Sequence, residues 1–401
     1  MRVAGIAVTP PAFKASGGVS AGLQLMRSVA QHCETRMLVM AERDEEATDG
    51  NLAVSWVRAT NVLTPLRRIL PRAAMTLMWR ADFGRWLRTV RPDIVHLHNP
   101  HPPGAFLAAA RECRRLGVPY VVSTHGFVEF DDYSKGFELA SWKRPLLQRL
   151  VRDPVVEVAR GAAQILMLSP MEKPILVGMG VPGQRLRVVP NGIDRYYFER
   201  LPAAELERLT SRFRLPPGRP LLLFVGNHTA NKGIDILLGA ARLMRAEATV
   251  VVCGAIRSAE EHALLLRSSG FALPDPRVLF TDFTTKDELR ALYQKADLFV
   301  FPSRADTLPL VILEAMASGL PVVATTVGGI PYQVTPDTGS LVPPSDAPAL
   351  ACAIDEMLAS PERRALMGAA GRLRVSETFD WERSAELAVS AYAEVLGVAG
   401  A

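Results

Sequence analysis

The chain has 401 residues, 49% hydrophobic and 22% charged, enough apolar material for one very large domain or two ordinary ones. Its formal net charge of +5 is unevenly shared: residues 1–200 hold 27 Lys and Arg against 18 Asp and Glu, and residues 201–401 hold 19 against 23. Four scattered cysteines, Cys33, Cys113, Cys253 and Cys352, form no CxxC pair and exclude a disulfide framework, and no apolar run has transmembrane length.

In chain order, "RVAGIAV" reads as a strand, followed by a loop with Gly17-Gly18, a helix through "SAGLQLMRSVAQHC" and the strand "TRMLVM". The opening "MRVAGIAVTPPAF" has too short and too Pro-broken an apolar run for a signal peptide, and the scattered cysteines fit a reducing cytoplasm, the expected location. Between Arg58 and Arg91 lie eight Arg and one acid, Asp82, with Trp79 and Trp86 interleaved. Such a stretch suits either a solvated helical face or peripheral docking on an anionic membrane; no nucleic-acid motif accompanies it. Then come "DIVHLH", the helix "GAFLAAARECRRLG", "PYVVSTHG", "AAQILMLS" and "LRVVPNGID". The charged, Pro-rich segment 195–219 reads as a connection. The pattern restarts with the strands "RPLLLFVGN", "ATVVVCGA", "RVLFTDF", "DLFVFPS", "LPVVAT" and "TGSLVPP", the first five separated by helices. Apolar strands alternating with helices predict two doubly wound parallel α/β domains, with ligands outside the strand C-termini.

The loops carry the chemistry. In "ADTLPLVILEAMASGLPVVAT", residues 305–325, Pro309 suits a helix start and Gly319 its C-terminal cap. The N–H groups of Leu308–Val311 form an anion site. Glu314 shares a face with Leu310 and Val311, where a half-buried carboxylate needs hydroxyl donors such as a ribose diol. Asp306, in the preceding loop, is within reach of a second polyol. The plain alternative is a helix-cap acid at 306 and an exposed acid at 314. "GNHTANKG", residues 226–233, adds Gly226, Asn227 and Lys232, a cation suited to a diphosphate. "STHGF" supplies His125, a donor for a sugar hydroxyl, and Gly17-Gly18 lets backbone approach a ligand. His96 and His98 share a strand face, but no Cys or carboxylate accompanies them, so no metal is expected.

These pieces, "GG" at 17–18, "PDIVHLHN" at 92–99, "STHG" at 123–126, "VVPNGID" at 188–194, "LLFVGN....NKG" at 222–233 and "PSRADTLPLVILEAMASGLPVVATTVGG" at 302–329, resemble the retaining glycosyltransferases of the GT4 group. The resemblance implies a GT-B fold of two Rossmann-like domains facing a central cleft. Residues 1–194 form the acceptor domain and 195–380 the donor domain, with a final helix over 381–398 packing back on the first. It implies Glu314 on the donor ribose and Asp306 on the transferred sugar. Lys232 and the Leu308–Val311 backbone hold the diphosphate, His125 meets the donor sugar, and Gly17-Gly18 lines the cleft. The family needs no metal and no cofactor beyond its nucleotide-diphosphate sugar. Two departures stand out: the first acid of the signature is Asp306, one methylene shorter than Glu, and Asn227 replaces an Arg, leaving His228 or Arg304 to compensate.

The reaction so implied moves a sugar from a UDP- or GDP-sugar to an acceptor hydroxyl with retention, in cell-surface polysaccharide or glycolipid synthesis. The acceptor is a lipid-linked saccharide, reached from the inner face of the membrane. The alternatives are a sugar-nucleotide 2-epimerase, against which the acid-x7-acid signature with NKG argues, and a degenerate, non-catalytic partner subunit.

Overall fold

A computed structural model of the chain describes all residues except 12–16, 67, 70–74, 76, 126–147, 257, 272–273, 282–283 and 399–401. It divides into two compact units, Met1–Gly192 with Trp381–Ala401, and Ile193–Asp380.

The first unit carries β1 (Arg2–Ala7), β2 (Glu34–Ala41), β3 (Glu45–Asp49), β4 (Leu52–Arg58), the two-residue pair β5 (Thr60–Asn61) and β6 (Trp79–Arg80), β7 (Ile94–His98), β8 (Tyr120–Ser123), β9 (Gln164–Met167) and β10 (Leu186–Val188). Its main sheet runs β10-β9-β8-β7-β1-β2-β4-β3 and is parallel except for the β3–β4 hairpin. Strands β7, β8 and β9 are buried throughout, as expected where helices cover both faces. Sequence reading passed over the hairpin, although Asp49-Gly50 is a turn signal before the apolar "LAVSWV".

Three expectations need correcting here. Gly17 and Gly18 do not lie in a loop; they open the helix Gly17–Val29. Trp86 does not share the surface with the arginines: it is a core residue, only 9% exposed, and half-buried Trp79 packs against the same core. The expected final helix is Trp381–Leu396, two residues shorter than anticipated. It belongs to the first unit, where Ala385, Ala388 and Tyr392 share a core with Val19, Leu25 and Met26 of the helix Gly17–Val29.

The second unit carries β11 (Leu221–Val225), β12 (Thr249–Cys253), β13 (Val278–Thr281), β14 (Leu298–Phe301), β15 (Val322–Thr325) and β16 (Gly339–Val342). Their order is β13-β12-β11-β14-β15-β16, all parallel. The winding reverses between β11 and β14, so the loops leaving their C-terminal ends, 226–233 and 302–309, flank the switch point where such sheets bind ligands. The segment 195–219 is more than a connection: Arg195–Phe198 forms a 3-10 turn that buries Tyr197, and the helix Ala203–Thr210 packs on the helix Lys286–Lys295. Among the described residues no helix is long and apolar enough to cross a membrane.

Candidate active site

At the β11–β14 switch point the two loops are locked together. Lys232, closing the short turn Ala230–Lys232, donates from Nζ to both oxygens of Asp306, at 2.8 and 2.9 Å. Ser303 Oγ donates to Asp306 Oδ2 at 2.6 Å and lies 2.9 Å from the Asn231 carbonyl. Gly233 makes this approach possible. Its φ is +70°, and a Cβ there would sit 2.0 Å from the Pro302 carbonyl oxygen. Gly328 does the same from the other side, where a Cβ would lie 1.6 Å from the Asp306 carbonyl oxygen. Gly226 faces the same lysine, its Cβ position 3.7 Å from Lys232 Cγ.

The loop after β14 runs through buried Thr307 and Leu308 into the helix Leu310–Ala317. Pro309 is the N-cap rather than a first-turn residue, with φ −67° and ψ 120°, and no side chain caps the helix. The N–H groups of Leu310 and Val311 therefore have no intrahelical acceptor. Leu310, Val311 and Glu314 form the half-buried stripe of an otherwise buried helix. At its far end Gly319 and Leu320 donate to Met316 and Ala315, and Arg372 donates 2.6 Å bonds to Ala317 and Phe198 carbonyls.

Glu314 is neither free nor simply exposed. Tyr293 Oη donates to its Oε2 at 2.8 Å, and Tyr197 also bonds to its carboxylate. Burial pushes the Glu314 carboxyl above its ordinary range, while the two tyrosine hydroxyls and the Lys286 ammonium hold it down. A carboxylate has about four acceptor positions, so two tyrosines leave room for a diol. Sequence reading missed both tyrosines. Their signal is that a buried Tyr hydroxyl needs a partner, whereas charge and Pro content alone make "RYYF" read as part of a connection.

The two residues considered as substitutes for the missing Arg at 227 do other work. His228 is 1% exposed, and burial first, then the His262 imidazole, lower its pKa to about 4, so it carries no charge at neutral pH. Arg304 grips Asp235 with two bonds of 2.8 and 2.6 Å and the Ala230 carbonyl at 2.6 Å. It braces the lysine loop against the first turn of the helix Ile234–Leu243.

In the first unit, His125 follows β8, is 5% exposed, and is lowered to about 4 by burial. Its Nε2 is buried without a partner among the described residues. A Cβ on Gly18 would meet His125 Cβ at 3.5 Å and Asn99 Oδ1 at 3.7 Å, whereas one on Gly17 would meet none of the described residues within 4 Å. His98 stacks on His125 with centroids 5.9 Å apart, and His96 bonds Tyr392 at 2.7 Å and Ser123 at 2.8 Å. The histidines thus belong to a buried network; among the described residues no group of three or more His, Cys, Asp or Glu is arranged to hold a metal ion.

Residues 219–360 match the family model "Glycosyl transferases group 1", and residues 17–196 match "Glycosyltransferase Family 4". A 2-deoxystreptamine glucosyltransferase of Streptomyces kanamyceticus is 30% identical over 372 residues, 90% of this chain and 92% of that one. The chain belongs to the group 1 (GT4) glycosyltransferases. Its fold is GT-B, two Rossmann-like halves. Sucrose-phosphate synthase from Thermosynechococcus elongatus superposes with a TM-score of 0.77 at 22% identity, covering 99% of this chain and 100% of that one. Anabaena HepE, solved in complex with UDP-glucose, superposes with a TM-score of 0.73 at 18% identity, covering 99% of each chain.

Proposed function

We propose that this glycosyltransferase transfers a sugar from a nucleoside diphosphate sugar to an acceptor hydroxyl with retention at the anomeric carbon. The observation that carries the reading is the Lys232–Asp306 pair at the β11–β14 switch point, one turn ahead of the uncapped helix bearing Glu314. Without donor, lysine and aspartate neutralise each other. A bound donor replaces that pair by two interactions: its diphosphate takes Lys232 and the Leu310 and Val311 amides, and its sugar hydroxyls take Asp306. Glu314, already oriented by Tyr293 and Tyr197, accepts from the ribose diol. Negative charge grows on the departing diphosphate, where Lys232 and the helix-start amides oppose it. The bond from the anomeric carbon to the diphosphate breaks and the bond to the acceptor oxygen forms on the same face. The acceptor proton passes to the diphosphate oxygen, so no side chain acts as base. Binding of UDP-glucose by the fold relative HepE supports a UDP-sugar donor. The chemistry named here uses no metal or other cofactor.

The acceptor in this reading is a lipid-linked saccharide, for surface polysaccharide or glycolipid synthesis at the cytoplasmic face of the membrane. Arg58, Arg68, Arg80, Arg85, Arg88 and Arg91 are exposed, which suits an anionic surface, while Arg67 and Arg72 lie outside the described residues. Nucleoside diphosphate release from UDP-, GDP- and ADP-sugars, with the product anomer assigned by NMR, tests the transfer. An inverted product overturns the retaining reaction. Nucleotide binding without any release favours the degenerate-subunit alternative. Co-sedimentation with anionic liposomes at low salt tests the surface, and a protein that stays in solution overturns that part.

A further inference from the structure

The loop that carries Lys232 is clasped from a side that the proposed chemistry does not use. The helix Ala259–Ser268 sends two consecutive residues to it. Glu261 Oε1 accepts from the Ala230 N–H at 2.8 Å, and His262 Nδ1 lies 3.1 Å from His228 Nδ1. The two imidazoles pack with centroids 4.8 Å apart, and both meet Phe280, at 5.8 and 5.6 Å. The His228 N–H is tied to the Ala255 carbonyl at 3.0 Å, so the imidazole is fixed at the root of the loop.

We propose that His228 and His262 are positioning residues, sharing one hydrogen between their Nδ1 atoms to hold the Asn227–Lys232 loop in the conformation that presents Lys232. The proposal rests on Lys232 being the cation that meets the diphosphate.

Two nitrogens 3.1 Å apart bind only if one carries a hydrogen and the other a lone pair. Among the described residues His228 Nε2 is buried without a partner. A hydrogen there would be an unmet buried donor, so the favoured tautomer keeps the hydrogen on His228 Nδ1 and donates it to His262 Nδ1. A proton added to His262 Nδ1 either breaks that bond or reverses it, the latter only if the His228 hydrogen moves from Nδ1 to the unmet Nε2. A proton on each ring abolishes the bond and adds like-charge repulsion. Consistent with this, burial lowers both imidazoles, and His262 lowers His228 further. Among the described residues, the charged group that the helix brings to this loop is Glu261, on the Ala230 N–H, and the β13 side presents Phe280, which does not titrate. Both folded pKa values lie below the ordinary one of 6.5, so the clasp is intact above about 6.5 and is lost as pH falls toward about 4.

Half-buried His262 is the safer residue to change. His262→Phe keeps a ring against Phe280 and removes the acceptor; His262→Asn puts an amide oxygen near the Nδ1 position and restores it. His262→Phe is expected to lower kcat about threefold to tenfold, the worth of one net hydrogen bond, with KM for the donor within about twofold. Amide exchange over Thr229–Gly233 should accelerate in the Phe variant and return toward wild type in the Asn variant. The acid-side fall of kcat in wild type should weaken in the Asn variant, where one imidazole remains. Labelled-histidine NMR on the ligand-free protein should find the hydrogen on His228 Nδ1. Unchanged exchange and kcat in the Phe variant, or an equal loss in Phe and Asn variants, overturns the clasp. If wild type binds neither UDP nor GDP, the donor reading fails, while the exchange and NMR results still decide the clasp.

Discussion

Lys232 Nζ lies 2.8 Å from Asp306 Oδ1 and 2.9 Å from Oδ2, with the two side chains only 20% and 13% exposed. The pair joins loops from adjacent strands, and in the proposed reaction the donor opens it. Lys232→Ala leaves a largely buried carboxylate with Ser303 as its remaining side-chain donor among the described residues, a loss of about 1–3 kcal/mol in stability. Turnover should fall more than donor affinity, because charge on the diphosphate peaks in the transition state. Steady-state kinetics beside isothermal calorimetry with nucleoside diphosphate separates the two; a change confined to affinity would mean uniform binding.

Glu314→Gln separates binding from stability. Burial raises the Glu314 carboxyl, so its charged form opposes folding, and that opposition disappears below the ordinary carboxylate pKa. The amide, which keeps an oxygen for the tyrosines, should leave chemical stability at pH 7–8 equal or higher. Nucleoside diphosphate affinity should nevertheless drop about tenfold or more through loss of charged hydrogen bonds. The wild-type protein should lose part of its stability as pH rises through the raised pKa, and the variant should not. Denaturant titrations across that range check the sign.

Gly233→Ala and Gly50→Ala form a matched pair. Both glycines have positive φ, +70° and +59°, but a Cβ at Gly50 meets nothing within 4 Å and one at Gly233 strikes Pro302 at 2.0 Å. Gly50→Ala should cost about 1–2 kcal/mol, the left-handed strain alone. Gly233→Ala should cost clearly more and also weaken donor binding, since Lys232 must move. Equal midpoints in urea would remove the close approach as the reason for glycine at 233.

Arg304→Lys tests the brace. Lysine cannot reproduce the forked bond to Asp235 together with the Ala230 carbonyl. Stability should fall by about 1–2 kcal/mol and amide exchange should quicken over Asn231–Gly233. Were Arg304 instead a diphosphate ligand, the substitution would lower donor affinity and leave exchange unchanged.

Much of this protein can be read from its sequence because the signals are local. Apolar runs of four to eight residues alternating with helices report a parallel sheet covered on both faces, and that reading needs no knowledge of which strand lies beside which. The spacing of Asp306, Pro309 and Glu314 puts a loop acid, a helix start and a helical acid in fixed relation, since all three sit on one continuous loop and helix. "NKG" likewise marks a loop whose glycine takes a positive φ.

What the tertiary structure alone decided is which distant side chains answer these groups. Strand order brings the 226–233 loop beside the 302–309 loop, and so makes Lys232 the partner of Asp306 and Arg304 the partner of Asp235. Packing of the helix Lys286–Lys295 and the turn Arg195–Phe198 puts two tyrosine hydroxyls on Glu314, where sequence reading had sought donors from a ligand. Burial makes His228 neutral, so the charge absent at Asn227 is not restored there. The physical reason is the same in each case. Periodicity and turn chemistry act along the chain and survive in its letters, whereas desolvation and pairing depend on neighbours supplied by sheet order.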